Sequence, residues 1–259
     1  MTPAKTGWLR IVGLGPGPVC WIAPEAADVL FRADALIGYG PYVARIPHRD
    51  GLERFPTDNR VELDRARHAL ELAANGRRVA VVSGGDPGVF AMAAAVFEAV
   101  ESGPVGWRDL DIVVVPGISA MQAAAARAGA PLGGDFCAIS LSDNLKSWPV
   151  ILRRLTAAAD ADFVIALYNP ASKARPDRIR EALALLGTLK DLATPVILAR
   201  AVGRPDEALE VTDLAHVDPS RIDMSTLVLI GASTTRLIPR LDSRRPWVYT
   251  PRSVPEDVP

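Results

Sequence analysis

Four apolar runs in the first half of this chain show no polar alternation, and each stops at glycine or runs into a glycine turn: LRIVGL (residues 9–14), DALIG (34–38), RVAVVS (78–83) and DIVVVPG (111–117). A strand with one wet face alternates apolar with polar residues. A run without alternation reads as a strand covered on both faces, which is the habit of parallel sheets flanked by helices. The stretches between them supply those helices. NRVELDRARHALELAANG (59–76) sets Val61, Leu63, Ala66, Ala69, Leu70 and Ala73 near helical period, with Asn59 as N-cap, Glu62 three residues on and Gly76 as the stop. GVFAMAAAVFEAVESG (88–103) and ISAMQAAAARAGA (118–130) read as two more helices.

The rhythm breaks at APLGGD (130–135), a hinge composition, and then resumes. FCAISLS and DFVIALYNP read as strands, WPVILRRLTAAA and PDRIREALALLGTL as helices, and PVILARAVG, EALEVTDL and STLVLIGAS as three further strands with little helix between them. That crowding predicts a mixed second sheet. The expected fold is α/β: two α/β/α lobes, the first sheet mainly parallel and the second mixed. The expected domains are residues 1–130, residues 131–245 and an extended, proline-rich tail over 246–259.

Ligands of open α/β sheets collect outside the carboxyl ends of the strands. Three strand ends here carry GLGPGP, SGGDPGVF and VPGISAM. A dinucleotide fingerprint starting at Gly13 needs its third glycine at position 18, which is Pro18, and the next strand ends in glycine and tyrosine rather than an acid. No G-K-[ST] follows, so a phosphate-binding P-loop is excluded as well. A ligand with an adenosine but no phosphate, such as S-adenosylmethionine, suits turns whose N–H and C=O groups are reachable. The plainer alternative is that all three are tight strand-to-helix turns.

Net charge is −1 with 23% charged residues, which argues against nucleic acid or an anionic membrane as partner. The three histidines (His48, His68, His216) and the two cysteines (Cys20, Cys137) are scattered, so no zinc spacing can be assembled and no metal is expected. No His has a partner that suggests a Ser-His-Asp triad. The opening MTPAKTGWLR lacks a signal-like apolar core and no apolar run is of spanning length, so a cytoplasmic protein with reduced thiols is expected.

The trio VGLGPG, SGGDPGVF and VPGISA, in this order, resembles the tetrapyrrole (corrin/porphyrin) methylase family. ISLSDN, LYNPASKARP, STLVLIGAS and the final VYTPR are similar to one branch of it, which methylates ring carbon 17 of precorrin-3B and contracts the macrocycle to precorrin-4 in cobalamin biosynthesis. The resemblance covers residues 9–252. It implies S-adenosylmethionine as co-substrate, held between two lobes largely by main-chain atoms, and a homodimer. Carried over by motif, the residues at the methyl donor are Pro16, Gly84, Gly85, Asp86, Val89, Ser119, Ala120, Tyr168, Asn169 and Gly203. Relatives usually have an acid after GPG where this chain has Pro18, which removes a polar role there. Alternatives are another precorrin or cobalt-precorrin methyltransferase, and a binding protein for S-adenosylmethionine or a corrinoid without turnover.

A macrocycle rimmed with carboxylates calls for guanidinium and ammonium groups. Lys173 and Arg175, in the loop after a strand, are the substrate-binding candidates together with Ser142, while Arg178 and Arg180 begin a helix and read as a solvated face, as do Arg45, Arg153 and Arg154. Ring contraction asks for an acid and a base. Asp143 ranks first from its strand-end position, with helix capping as its plain alternative. Asp86 follows, whose alternative is anchoring its own turn, and then Tyr168.

Overall fold

The computed structural model describes residues 7–58, 61–171, 175, 177–242 and 244–253, and the chain forms two compact units that divide after Ala120. In the first unit, β1 (Trp8–Gly13), β2 (Ala35–Tyr39), β3 (Glu53–Thr57), β4 (Arg78–Ser83) and β5 (Asp111–Val115) form one sheet in the order β3-β2-β4-β1-β5. Every pairing is parallel. Its helices are α1 (Pro24–Arg32), the single turn α2 (Gly40–Val43), α3 (Glu62–Ala74) and α4 (Met92–Ser102).

The pleat explains the unbroken apolar runs. Leu9, Ile11, Val79 and Val81 point to one face and pack with Ala66, Leu70 and Val96 of α3 and α4. Val12, Ala80 and Val82 point to the other face and pack with Ala26, Val29 and Leu30 of α1. Strand β5 departs from the expectation, because it lies at the edge and leaves Val113 38% exposed. The other edge strand, β3, was not foreseen: its residues ERFPT offer one core-packed aromatic, Phe55, among Glu53, Arg54 and Thr57, and Pro56 costs nothing where no further strand asks for an N–H.

Helix α3 starts at Glu62 with two acids in its first turn, which suit the positive end of the helix dipole. The proposed cap Asn59 lies outside the described residues. The helix stops as expected, with Gly76 left-handed at φ +81°. Helix α4 begins four residues later than its apolar pattern suggests, because Phe90 is left-handed at φ +55° and Ala91 is extended.

The second unit takes up most of α5 (Ala120–Ala128), then β6 (Gly129–Ala130), β7 (Phe136–Ser140), α6 (Trp148–Asp160), β8 (Val164–Tyr168), α7 (Arg178–Leu189), β9 (Pro195–Arg200), β10 (Ala208–Asp213), β11 (Thr226–Ile230), β12 (Arg236–Ile238) and β13 (Trp247–Tyr249). Its main sheet runs β10-β9-β11-β8-β7 and is mixed: β7 and β8 are parallel and the other pairs antiparallel. Ile151 and Leu155 of α6 and Ile179 and Leu186 of α7 cover one face of it together with Ile165, Leu167, Val196 and Val228. A small sheet, β12-β13-β6, incorporates Trp247–Tyr249. The glycines of APLGGD serve this last contact, since a Cβ at Gly133 would stand 2.4 Å from the peptide oxygen of Thr250. Among the described residues no helix is long and apolar enough to cross a membrane.

Candidate functional site

In the first unit the three glycine turns follow β1, β4 and β5, which are neighbours in the sheet, so parallel pairing puts their carboxyl ends side by side. The turns lock onto one another. The Gly15 N–H donates to the Gly85 oxygen at 3.1 Å, and the Leu14 N–H to the Ser83 oxygen at 2.9 Å. A Cβ at Gly13 would meet the Gly117 nitrogen at 2.7 Å, and one at Gly117 would meet the Gly85 oxygen at 2.4 Å. The bare backbone at Gly13 and Gly117 is therefore required by the neighbouring turn. Gly85 differs: its φ of +72° demands glycine, yet a Cβ there would touch Ser119 and Ala120 only at 3.9 Å.

Asp86 ties this assembly together. Its Oδ1 accepts the Gly88 N–H at 2.8 Å within its own turn, and its Oδ2 accepts the Gly117 N–H at 3.0 Å in the next turn. Both carboxylate oxygens thus meet backbone donors. Ser119 is buried at the start of α5, and Val89 and Pro16 are half-buried on their turns. Of the motif residues in this unit, Gly84, Gly85, Asp86, Val89, Ser119 and Ala120 come together with Pro16 at one sheet edge.

Two residues of this edge were not foreseen as such. The ring of Tyr42 lies over Gly84, where a Cβ would stand 2.7 Å from its Cε1. Arg45, read from sequence as a solvated surface group, is part-buried and donates to the peptide oxygens of Leu14, Gly15 and Gly17, each at 2.8 Å.

In the second unit the parallel strands β7 and β8 end side by side, and the residues after them meet. The Asn169 Nδ2 donates to Ser140 Oγ at 3.0 Å from a left-handed backbone, and the Ser142 N–H reaches the same hydroxyl at 3.3 Å. Asp143 lies between two guanidiniums, 3.1 Å from Arg175 Nη1, 3.0 Å from Arg178 Nε and 2.9 Å from Arg178 Nη2. Burial works against its charge, but the Arg178 and Arg175 hydrogen bonds outweigh burial and hold the carboxyl below the usual carboxylate range. Arg178 is not on a solvated face: its guanidinium stacks over Trp148 at 4.6 Å and also meets Glu181, which accepts the Trp148 indole N–H at 2.7 Å. Lys173 lies outside the described residues.

The Tyr168 hydroxyl oxygen accepts the Met121 N–H at 3.1 Å near the start of α5. Gly203 stands apart, past β9, which is separated from β8 by β11. It is left-handed at φ +80°, and its N–H donates to Glu207 at 2.7 Å, the same carboxylate that pairs with Arg127 at 2.9 Å.

The first turn fits a methyl donor better than a pyrophosphate. A phosphate cradle needs several converging N–H groups at a helix start. Here the Leu14 and Gly15 N–H groups are spent on Ser83 and Gly85, Pro16 and Pro18 have none, and only a three-residue turn of 3-10 helix follows.

A family model described as Tetrapyrrole (Corrin/Porphyrin) Methylases matches residues 9–218. A precorrin-3B C(17)-methyltransferase of Sinorhizobium sp is 54% identical over 247 residues, spanning 95% of this chain and 97% of that protein. A probable cobalt-factor III C(17)-methyltransferase of Salmonella typhimurium is 39% identical, over 88% of this chain and 93% of that one. The crystal structure of the methyltransferase CobJ superposes with a TM-score of 0.90 at 51% identity, covering 95% of this chain and all (100%) of that one.

Proposed function

The chain belongs to the tetrapyrrole (corrin/porphyrin) methylase family, and on that premise we propose that it moves the methyl group of S-adenosylmethionine to ring carbon 17 of precorrin-3B, with contraction of the macrocycle to precorrin-4 in cobalamin biosynthesis. The observation that carries this reading is the 54% identity to a precorrin-3B C(17)-methyltransferase along nearly the whole of both chains. The cobalt-factor III relative, at 39%, is more distant, which favours the metal-free substrate over the cobalt-loaded one.

S-adenosylmethionine supplies an activated methyl cation equivalent when bound. The protein's own task is geometric, because a sulfonium already activated for transfer gains most from fixed position. The interlocked turns around Gly13, Gly85 and Gly117 give that rigidity on the donor side. On the substrate side, Arg175 spends Nη1 on Asp143 and turns the rest of its planar fork to a substrate carboxylate. Asp143, kept ionised between two arginines, is the anchor that orients Arg175 rather than the acid of the ring contraction. Asp86, with an amide on each oxygen, holds the turns rather than moving a proton. Tyr168 is the acid in this reading, a phenol with a proton to give whose oxygen is positioned by the Met121 amide. Lys173 and Ser142 complete the substrate side of this reading, Asn169 and Gly203 the donor side, and the working form is a cytoplasmic homodimer.

Incubating the purified protein with S-adenosylmethionine and precorrin-3B is expected to give a product heavier by one methyl group with the absorption spectrum of a contracted macrocycle. Binding of both compounds without product would overturn the enzymatic reading in favour of a binding protein. Product from cobalt-factor III alone would overturn the substrate.

A further inference from the structure

The Leu14 and Gly15 amides tie the first glycine turn to the second, but its converging carbonyls need a partner of their own. Leu14, Gly15 and Gly17 aim three peptide oxygens at one point, and like dipoles so converged repel one another. Backbone donors are scarce there, since Pro16 and Pro18 carry no N–H. One side chain, from the segment that follows β2, reaches all three oxygens. Arg45 follows the one-turn helix after β2 and sends Nη1 to Gly15 and Nη2 to Leu14 and Gly17, all at 2.8 Å. A guanidinium suits this task because its donors lie in one rigid plane; an ammonium concentrates its charge and lacks the fork. Three residues before it, Tyr42 covers Gly84 in the second turn. One segment, YGPYVAR, thus braces two of the three turns.

We infer that Arg45 is a positioning residue for methyl-donor binding: it fixes the 14–17 turn in the conformation that accepts S-adenosylmethionine without itself touching the reacting atoms. This rests on the assignment of the glycine turns to the methyl donor. With Arg45 gone, the three carbonyls turn toward water, the turn loosens, and the ordering has to be supplied by ligand binding. The loss falls on donor affinity and not on the chemical step.

The test is titration calorimetry with S-adenosylmethionine and steady-state kinetics on the wild type, Arg45→Met and Arg45→Lys. Wild-type protein that gives no saturable heat overturns the donor-site assignment itself, separately from the role of Arg45. Given wild-type binding, Arg45→Met is expected to raise Kd and KM for S-adenosylmethionine about tenfold or more, as when charged donors to backbone carbonyls are removed. Its kcat at saturating donor should stay within about threefold and its KM for precorrin-3B should not move. Arg45→Lys should recover part of the affinity. Unchanged donor affinity in Arg45→Met overturns the inference. So does a uniform loss of both affinities and kcat that tracks the folded fraction and is not relieved by lysine. Should Arg45→Met not fold, Arg45→Lys decides alone: a severalfold rise in donor Kd supports the inference, and wild-type affinity overturns it.

Discussion

Asp143→Asn is expected to lower turnover of precorrin-3B about a hundredfold while S-adenosylmethionine binds with wild-type affinity. The carboxylate is the common partner of Arg175 and Arg178, at 3.1 Å and 2.9 Å. An amide keeps the shape but loses the charge, and one of its two ends presents N–H groups to a guanidinium that can only donate. Arg175 then loses its bearing, and a misplacement of about 1 Å in a group that orients substrate costs about a hundredfold in rate. The ionisation of Asp143 bears only on the acid limb of the pH profile. Its folded pKa lies below the unfolded value, so its contribution is fully present above the ordinary carboxylate range and is lost as pH falls through the depressed value. Between pH 5 and 8 the wild type should therefore show no rate-limiting ionisation from this group. Steady-state kinetics on both proteins checks this, and a variant with full turnover would remove Asp143 from the site.

Gly117→Ala should damage the donor side as severely. The added Cβ would stand 2.4 Å from the Gly85 oxygen and 2.9 Å from Gly13 Cα, both backbone and neither able to swing away. Either the turns separate, breaking the bond from Gly117 to Asp86, or the strain stays in the fold at about 1–3 kcal/mol. Both outcomes lower the melting temperature and weaken S-adenosylmethionine binding by more than tenfold. Calorimetry and a thermal melt read the two effects. A variant with native stability and affinity would mean that the turns pack more loosely than described.

Physical reasons divide what the sequence disclosed from what it did not. Strands β1 and β4 were legible because both of their faces are buried, so their central positions are almost all apolar. Strand β3 was not, because an edge strand with Glu53, Arg54 and Pro56 around a single core-packed Phe55 carries no apolar run. The start of α4 was misjudged at Phe90, since a left-handed aromatic leaves no trace in an apolar pattern where glycine would have. The glycine turns announced a special sheet edge, yet their spacing could not tell that Gly13 and Gly117 are bare for each other rather than for a ligand. Asp143 was visible as a strand-end acid, whereas its partnership with Arg178 exists only once α7 packs against the edge of β7 and β8. Arg45 was hidden most thoroughly. Its three carbonyl partners lie 28 to 31 residues away and converge only in the folded turn, so the arginine gave no sign of its task.

This edge of interlocked backbone, whose first turn spends its Leu14 and Gly15 amides on the second, is expected to receive a sulfonium nucleoside and not a pyrophosphate. Titration calorimetry with S-adenosylmethionine and, in parallel, NADH tests it most directly. A saturable one-site heat with S-adenosylmethionine and none with NADH is expected, whereas saturation by NADH with no heat from S-adenosylmethionine would overturn the donor-site assignment.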